Sequence, residues 1–315
     1  MQATIAALLV VLVPQVGLAT MQLSLSVLAP AMMQASGMAP EAFGWVGGAS
    51  GLGSVLFYLS NHAVTPSIGP LRTLRTGALI AVAGGLLLTS GSFPLLLAGA
   101  LLIGFGYATM TPAGSQILVD HTPKHNWGLL FSLRQAGVPL GGVIAGAIGG
   151  LVIERLGWRS AVLGISGVCA ALGLALLSAP RLYNEGRALK PFRLAALLDV
   201  SNVLRPFVTL RSTPEMRAIV GACIGFAIIQ GTIQAFFVTY LHASLGMSLS
   251  VAGGLFAVQQ ASSVAGRVAL GYVADRLGSP RPVLRMLALL STASTLLLVG
   301  MTPGWPLPVL FALSA

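Results

Sequence analysis

The feature that most constrains this chain is a succession of long apolar runs, separated by short gaps that hold most of the charged residues. Residues 249–273 and 283–300 are two such runs, with a charged turn between them. Each run is about the length that crosses a bilayer, because ~20 apolar residues at ~1.5 Å rise span a hydrocarbon core of ~30 Å. The pattern therefore predicts an all-α membrane protein with about nine or ten transmembrane helices.

The overall charge content supports the same class of protein. The chain is 56% hydrophobic and 8% charged, whereas soluble domains carry about a quarter charged residues. Too few charges remain to cover a water-facing surface, so membrane lipid is the expected surrounding. The net charge of +10 does not indicate a nucleic-acid partner, because the basic residues lie in the gaps between apolar runs and not on one patch.

Residue sets that carry enzyme chemistry are missing from the sequence. Cys169 and Cys223 both lie inside apolar runs, and neither has a partner at the spacing of a disulfide or a metal site. We find no His/Cys/carboxylate cluster, no Gly-rich phosphate loop, and no nucleophile with a matching base and acid. The sequence therefore predicts no metal, no cofactor and no enzymatic activity.

The spacing of the apolar runs divides the chain into three parts. Residues 1–180 hold six predicted spans and residues 181–216 form a long basic linker. Residues 217–315 hold three further spans and the start of a tenth, inside which the sequence ends. We interpret the chain as a C-terminally truncated sequence that contains one six-helix bundle and part of a second.

The charged turn between the eighth and ninth spans has a characteristic spacing. It reads Gly271-x-x-x-Asp275-Arg276-x-Gly278, followed by Arg281 and Arg285. This pattern resembles the loop signature of the major facilitator superfamily, which joins helices 2 and 3 and again helices 8 and 9. A degenerate copy without the Asp occupies residues 61–75. The resemblance implies two pseudo-symmetric six-helix bundles around a central cavity, which moves a small-molecule substrate by alternating access, with a coupling ion in many members.

The resemblance also implies a cytoplasmic gate at this turn, formed by Gly271, Asp275, Arg276, Gly278 and Arg267. In the family the equivalent acid reaches across to the start of a helix in the other half, so Asp275 is expected near residues 126–129. The first N–H groups of a helix lack intrahelical partners and lie at the positive end of its dipole. Two alternatives stay open: Asp275 pairs with an arginine of its own loop, or Arg267 contacts the substrate directly.

Arg134 is the sharpest candidate for a substrate-binding residue. It lies seven residues after Trp127, which is ~10 Å along the predicted helix. An embedded Arg costs about 2.5–3.5 kcal/mol on insertion scales, so it needs a partner or a wet cavity. One interpretation is a cation that binds a carboxylate, and the other is a side chain that reaches the membrane surface or braces a loop.

Uncharged polar residues inside the spans are the other candidates for lining a cavity. In the resembling family, helices 1, 4, 7 and 10 line the cavity, which favours the candidates on the first and seventh spans. Each has plain packing or an interhelical hydrogen bond as its alternative role. These candidates are Gln15, Gln230, Gln234, Gln259 and Tyr107.

Two glycine series predict close approach between helices. Gly47 and Gly51 lie four residues apart in the second span, and Gly142, Gly146 and Gly150 repeat the same step in the fifth. Small residues at this spacing allow the backbones of membrane helices to approach closely. Each series is therefore expected to face a neighbouring helix.

These features predict a secondary active transporter of a small organic solute. An organic anion is favoured, because arginine is the only embedded charge and no Asp or Glu lies in the middle of a span. Two alternatives stay open: an exporter of neutral or cationic hydrophobic compounds, and a non-transporting membrane sensor or assembly protein on the same scaffold. We expect a monomer.

The distribution of basic residues predicts the orientation in the membrane. The gaps after spans 2, 4, 6 and 8 hold most of the basic residues, whereas the gaps on the other side hold only Arg155 and Arg159. By the positive-inside rule the first set is cytoplasmic. The N-terminus is then cytoplasmic too, and the expected location is a bacterial inner (plasma) membrane.

Single cysteines in a background without Cys169 and Cys223 test this topology. Lys124→Cys, Gly186→Cys and Ser279→Cys should react with an impermeant maleimide only from the cytoplasmic side, because they lie in basic gaps. Gly157→Cys should react only from outside. The measurement compares labelling in intact and permeabilised cells, and external labelling at position 186 would reverse the assignment.

Overall fold

The computed structural model of this chain is a bundle of long α-helices. It describes residues 2–124, 127–179, 207–277 and 280–299, together with residues 183, 191, 204 and 306. No strand occurs among these residues. The helices are α1 (Gln2–Ser36), α2 (Pro40–Ile68), α3 (Pro70–Leu88), α4 (Phe93–Ala108), α5 (Met110–His121), α6 (Trp127–Leu174), α7 (Pro214–Ala243), α8 (Leu249–Leu277) and α9 (Pro280–Val299).

The helices have the length and surface of membrane-spanning segments. Within the described residues, six helical segments are long and apolar enough to cross a bilayer. One of them, α6, is two spans in length and kinks at Gly157, where φ is 78°. Large apolar side chains such as Leu79 (68% exposed) and Ile228 (64% exposed) point outward. This surface suits lipid, and the predicted all-α membrane fold is confirmed.

The turns between helices are shorter than the sequence predicts. Residues 61–75 were expected to form a turn, but α2 continues to Ile68 and α3 starts at Pro70. Gly69 alone reverses the chain, with a φ of 88° that favours glycine. Polar side chains at 61–67 find partners inside the helix: the Thr65 hydroxyl donates to Asn61 Oδ1 at 2.6 Å, and the Ser67 hydroxyl donates to the Val64 carbonyl at 2.8 Å. Similarly, α8 continues to Leu277, so Asp275 lies in its last helical turn.

The predicted packing face of α2 is wrong by a few residues. A Cβ added to Gly47 or Gly51 would meet nothing within 4 Å. The close approach uses Gly53 instead, whose added Cβ would overlap the Leu101 carbonyl of α4. From the other side, a Cβ on Gly104 would overlap the Ser50 carbonyl. Helix α2 therefore meets α4 backbone to backbone on the face that carries Ser50 and Gly53, and not on the face of Gly47 and Gly51.

The glycine series of α6 faces another helix, as predicted. A Cβ on Gly146 would lie 2.7 Å from the Gly253 carbonyl of α8, and one on Gly150 would lie 3.2 Å from Ser250. A Cβ on Gly142 would overlap the side chain of Gln260. Helices α6 and α8 therefore run antiparallel in direct contact over this stretch.

A second apolar cluster joins the first six spans to α7 and α8. It is distinct from the larger core within α1–α6, and it lies at the end of the bundle where α6 reaches Glu154 and α8 begins. We call this the Glu154 end and the opposite end, where α6 begins, the Trp127 end. The cluster contains Leu23, Val27, Ala145, Phe237, Val238, Leu241, Ala252, Leu255 and Phe256. The proposed linker at 181–216 lies largely outside the described residues.

The α2–α4 contact gives a stability prediction. Gly104→Ala should lower the apparent melting temperature of the detergent-solubilised protein, because overpacking of this kind costs about 1–3 kcal/mol. Gly47→Ala is the matched control, since its methyl group would meet no atom within 4 Å. Equal melting temperatures for the two variants would contradict the backbone contact.

Candidate functional site

A polar cavity of about 200 Å³ lies between the first six spans and helices α7 and α8. Its walls are mainly amide and phenol groups, with one guanidinium. Among the described residues, no group of three or more His, Cys, Asp or Glu side chains could hold a metal ion. The lining residues are Gln15, Tyr58, Tyr107, Met110, Thr111, Gln135, Val138, Gln230 and Arg267.

Arg267 of α8 is the charged residue of the described cavity lining. Its Nε is buried and has no hydrogen-bond partner. The same side chain borders a wider, more open cavity of about 360 Å³ with Phe131, Ser132 and Gln135 of α6. That second cavity separates the Trp127 end of α6 from α8, so Arg267 stands between the polar cavity and this opening.

Arg134 lies behind the cavity wall and is not one of the described residues that line it. It is 4% exposed, and its Nη1 donates to the carbonyls of Met110 at 3.1 Å and Thr111 at 3.3 Å. Its guanidinium also lies 5.6 Å from the ring centre of Phe131. These contacts correspond to the bracing alternative considered from the sequence.

The carbonyls that Arg134 binds follow a break in the fourth span. Helix α4 ends at Ala108 and α5 begins at Met110, with Thr109 donating its N–H to Gly106 at 3.3 Å. Pro112 lacks an N–H and cannot donate to the carbonyl of Ala108 one turn earlier. Arg134 supplies donors beside this break and so holds the wall that contains Met110 and Thr111.

The predicted glutamines fall into two groups. Gln15 (2% exposed) and Gln230 both line the polar cavity, and Gln15 Oε1 is buried without a hydrogen-bond partner. Gln234 and Gln259 are half-buried and are not among the described lining residues, although Gln259 Oε1 is also buried without a partner. Tyr107 lines the cavity and is close enough to Arg267 for an electrostatic interaction.

Only part of the predicted gate belongs to the residues that the structure describes. The backbones of Gly271, Asp275 and Arg276 belong to the last two turns of α8. Their side chains, and all of Gly278, lie outside the described residues. The predicted contact between Asp275 and residues 126–129 therefore stays a prediction.

Sequence reasoning did not select Tyr58 and Gln135 as lining residues. Phe131, Gln135 and Val138 share one face of α6 at the i, i+4, i+7 spacing and border the two cavities. Arg134 precedes Gln135 by one residue, which turns it about 100° away on a helix. The i, i+4, i+7 spacing of Phe131, Gln135 and Val138 is a sequence signal that could have predicted Gln135 as a lining residue. No sequence pattern indicates that Tyr58 lines the cavity.

The family of the chain follows from a comparison with sequence models of known families. The model of the Major Facilitator Superfamily matches residues 13–315, which is nearly the whole chain. The chain belongs to the Major Facilitator Superfamily. This is a family of membrane transporters, not of enzymes.

A curated relative of this chain comes from a fungus. It is described as an MFS-type transporter of Gibberella moniliformis (strain M3125 / FGSC 7600) and is 28% identical over 242 residues. The match covers 75% of this chain and 54% of the relative. The chain therefore spans about half the length of the curated relative that it matches.

Solved structures share the fold. A bacterial homologue of the human lysosomal transporter Spinster, inward-facing and unoccupied, has a TM-score of 0.69 at 17% identity, over 89% of this chain and 64% of its own. A D-xylose–proton symporter has a TM-score of 0.59 at 13% identity, over 87% of this chain and 68% of its own. At these identities the likeness shows the fold alone.

The different surroundings of the two arginines predict different effects on stability. Arg134→Ala should lower the apparent melting temperature, because hydrogen bonds from a charged donor contribute about 1.5–3 kcal/mol each. Arg267→Ala should leave it unchanged or raise it, because the Nε of each arginine is buried without a partner, and of the two only Arg134 donates to backbone carbonyls of described residues. Thermal unfolding in detergent measures both. A loss of stability in Arg267→Ala equal to that in Arg134→Ala would contradict this assignment.

Proposed function

We propose that this chain acts as a secondary transporter that moves a small organic anion across a membrane by alternating access. The observation that carries the proposal is Arg267, a cation in a polar cavity whose described lining contains no carboxylate. An embedded arginine is costly without a partner. A substrate carboxylate would supply that partner while the substrate is bound.

The cavity suggests the size and polarity of the substrate. Its volume of about 200 Å³ is below the roughly 300–1,000 Å³ of pockets for drug-sized ligands. Gln15 Oε1 is an unpaired acceptor, so a hydroxyl or amino group on the substrate would satisfy it. Gln135, Gln230 and Tyr107 add further donors and acceptors. These features favour a small hydroxylated or aminated carboxylate.

The two arginines receive different roles in this proposal. Arg267 binds the substrate anion, and Arg134, the substrate-binding candidate from sequence, positions the wall around Met110 and Thr111. Gln234 and Gln259 remain candidates for substrate contact in another conformation. The sequence-based alternative of a cationic substrate is less favoured, because the described lining offers it no carboxylate.

The cytoplasmic gate is proposed from the register of α6 and α8. Gly142 faces Gln260 and Gly150 faces Ser250, and this antiparallel register, if it continued to the end of α8, would bring Asp275 opposite the start of α6 near Trp127. We therefore keep the contact between Asp275 and residues 126–129 as the closed form of the Trp127 end. If Asp275→Asn does not increase access to the cavity from that end, this gate is wrong.

The membrane location and domain limits are part of the same proposal. We propose bundles at residues 1–180 and 217–315 joined by a cytoplasmic linker at 181–216, with the N-terminus in the cytoplasm. The basic gaps support this orientation. The bacterial inner membrane is favoured by no observation beyond the sequence, and the relative in Gibberella moniliformis fits a eukaryotic membrane equally.

Paired ligands test the anion proposal. Each acid is compared with the alcohol that has the same skeleton: lactate with propane-1,2-diol, gluconate with sorbitol, and benzoate with benzyl alcohol. At least one acid, and not its alcohol, should raise the melting temperature and be taken up by proteoliposomes. Arg267→Ala should abolish both effects. Arg267→Lys should restore them poorly, since the bidentate fork of arginine is lost.

Arg217→Ala is the matched control, because Arg217 is an exposed arginine in the first turn of α7. It should bind and transport like the wild type. Binding of the alcohols in preference to the acids, or normal acid transport by Arg267→Ala, would contradict the anion site.

A further inference from the structure

The seam between α6 and α8 closes the polar cavity toward the Glu154 end. Gly146 meets the Gly253 carbonyl and Gly150 meets Ser250 at backbone distance. Apolar side chains of the second apolar cluster, which joins the first six spans to α7 and α8, fill the space beside these contacts; among them Ala252 is 0% exposed. Opening this end must therefore separate α6 from α8.

A carboxylate crosses this seam at its outer edge. Glu154 Oε1 of α6 accepts a hydrogen bond from the backbone N–H of Ser250 at 2.9 Å. Ser250 lies in the first turn of α8, where N–H groups have no intrahelical acceptor and the helix dipole is positive. Ser248 caps the next N–H, that of Val251, at 3.3 Å. Glu154 therefore supplies from the other half a cap that α8 does not provide for itself.

The same seam contains a group that favours separation. Gln260 is 3% exposed, its Nε2 has no hydrogen-bond partner, and it faces Gly142. An unpaired buried donor is unfavourable, and water would satisfy it once the seam opened. The closed seam thus holds one favourable charged contact and one unsatisfied polar group.

We infer that Glu154 is a latch that holds the Glu154 end of the transporter closed by capping the N-terminus of α8. The contact exists only while α6 and α8 touch, so it stabilises that state alone and biases the alternating-access equilibrium. The inference concerns the conformational equilibrium of the empty protein. It stands or fails independently of the proposed anion substrate.

The test measures how often the seam opens. Ala252→Cys, in a background with Cys169→Ala and Cys223→Ser, places one thiol in the closed seam. In ligand-free protein in lipid nanodiscs, the rate of its reaction with a polar maleimide is proportional to the open population. Glu154→Gln in this background should react about two- to fivefold faster, the range expected when a charge is removed from a helix N-terminus.

Two matched variants isolate the latch. Arg155→Gln removes the neighbouring exposed charge and should react at the parent rate. Ser250→Ala removes a hydroxyl that also contacts Glu154 but keeps the backbone N–H, so it should accelerate the reaction less than Glu154→Gln does. Glu154 is exposed, and thermal unfolding verifies that each variant is folded. Parent-like reaction in Glu154→Gln, or an equal acceleration in Arg155→Gln, would overturn the latch.

Discussion

Contact between backbones is the interaction on which this structure depends. Lipid is as apolar as leucine, so membrane helices gain little hydrophobic energy from each other and associate through close packing at small residues. Gly53 and Gly104 bring α2 against α4, and Gly146 brings α6 against Gly253 of α8. The first contact lies within the first six spans. The second joins these spans to α8, so the same packing chemistry also forms the seam between α6 and α8.

The two embedded arginines show how surroundings decide the use of one residue type. Arg134 donates to two carbonyls beside the break between α4 and α5, so its guanidinium is hydrogen-bonded to the backbone of its own protein. Arg267 borders both cavities and leaves a buried Nε unpaired. Since the Nε of Arg134 is buried without a partner as well, the two residues differ in that Arg134 donates to backbone carbonyls and Arg267 borders the cavities. Chain position alone does not separate these cases.

Apolar run length predicted the spans and their class, because the thickness of the bilayer fixes how long a helix must be. It misplaced helix ends, since polar residues such as Asn61 and Thr65 pair with each other inside α2. Glycine spacing selected the correct face of α6 but not of α2, where one glycine at position 53 makes the contact. Of the substrate-binding candidates selected from the sequence, Gln15, Gln230 and Tyr107 line the polar cavity, and their contact with a substrate stays a prediction. Gln135, which also lines the cavity, was not predicted, because the charged neighbour Arg134 was the stronger candidate in the sequence.

The antiparallel pairing of α6 and α8 would allow one pair of helices to form both of the gates proposed above. Each helix carries a carboxylate near the C-terminal end of its span, Glu154 on α6 and Asp275 on α8. Glu154 lies beside the start of α8, and the register of Gly142–Gly150 with Ser250–Gln260, if extended, would bring Asp275 beside the start of α6. The start of a helix offers free N–H groups and a positive dipole. When the Glu154 end is closed, Glu154 is capped on Ser250, while a cavity of about 360 Å³ parts the helices toward the Trp127 end. Rocking the halves would exchange one carboxylate–helix contact for the other. The unsatisfied Gln260 amide would then be one of the small terms on which the energy difference between the two states depends.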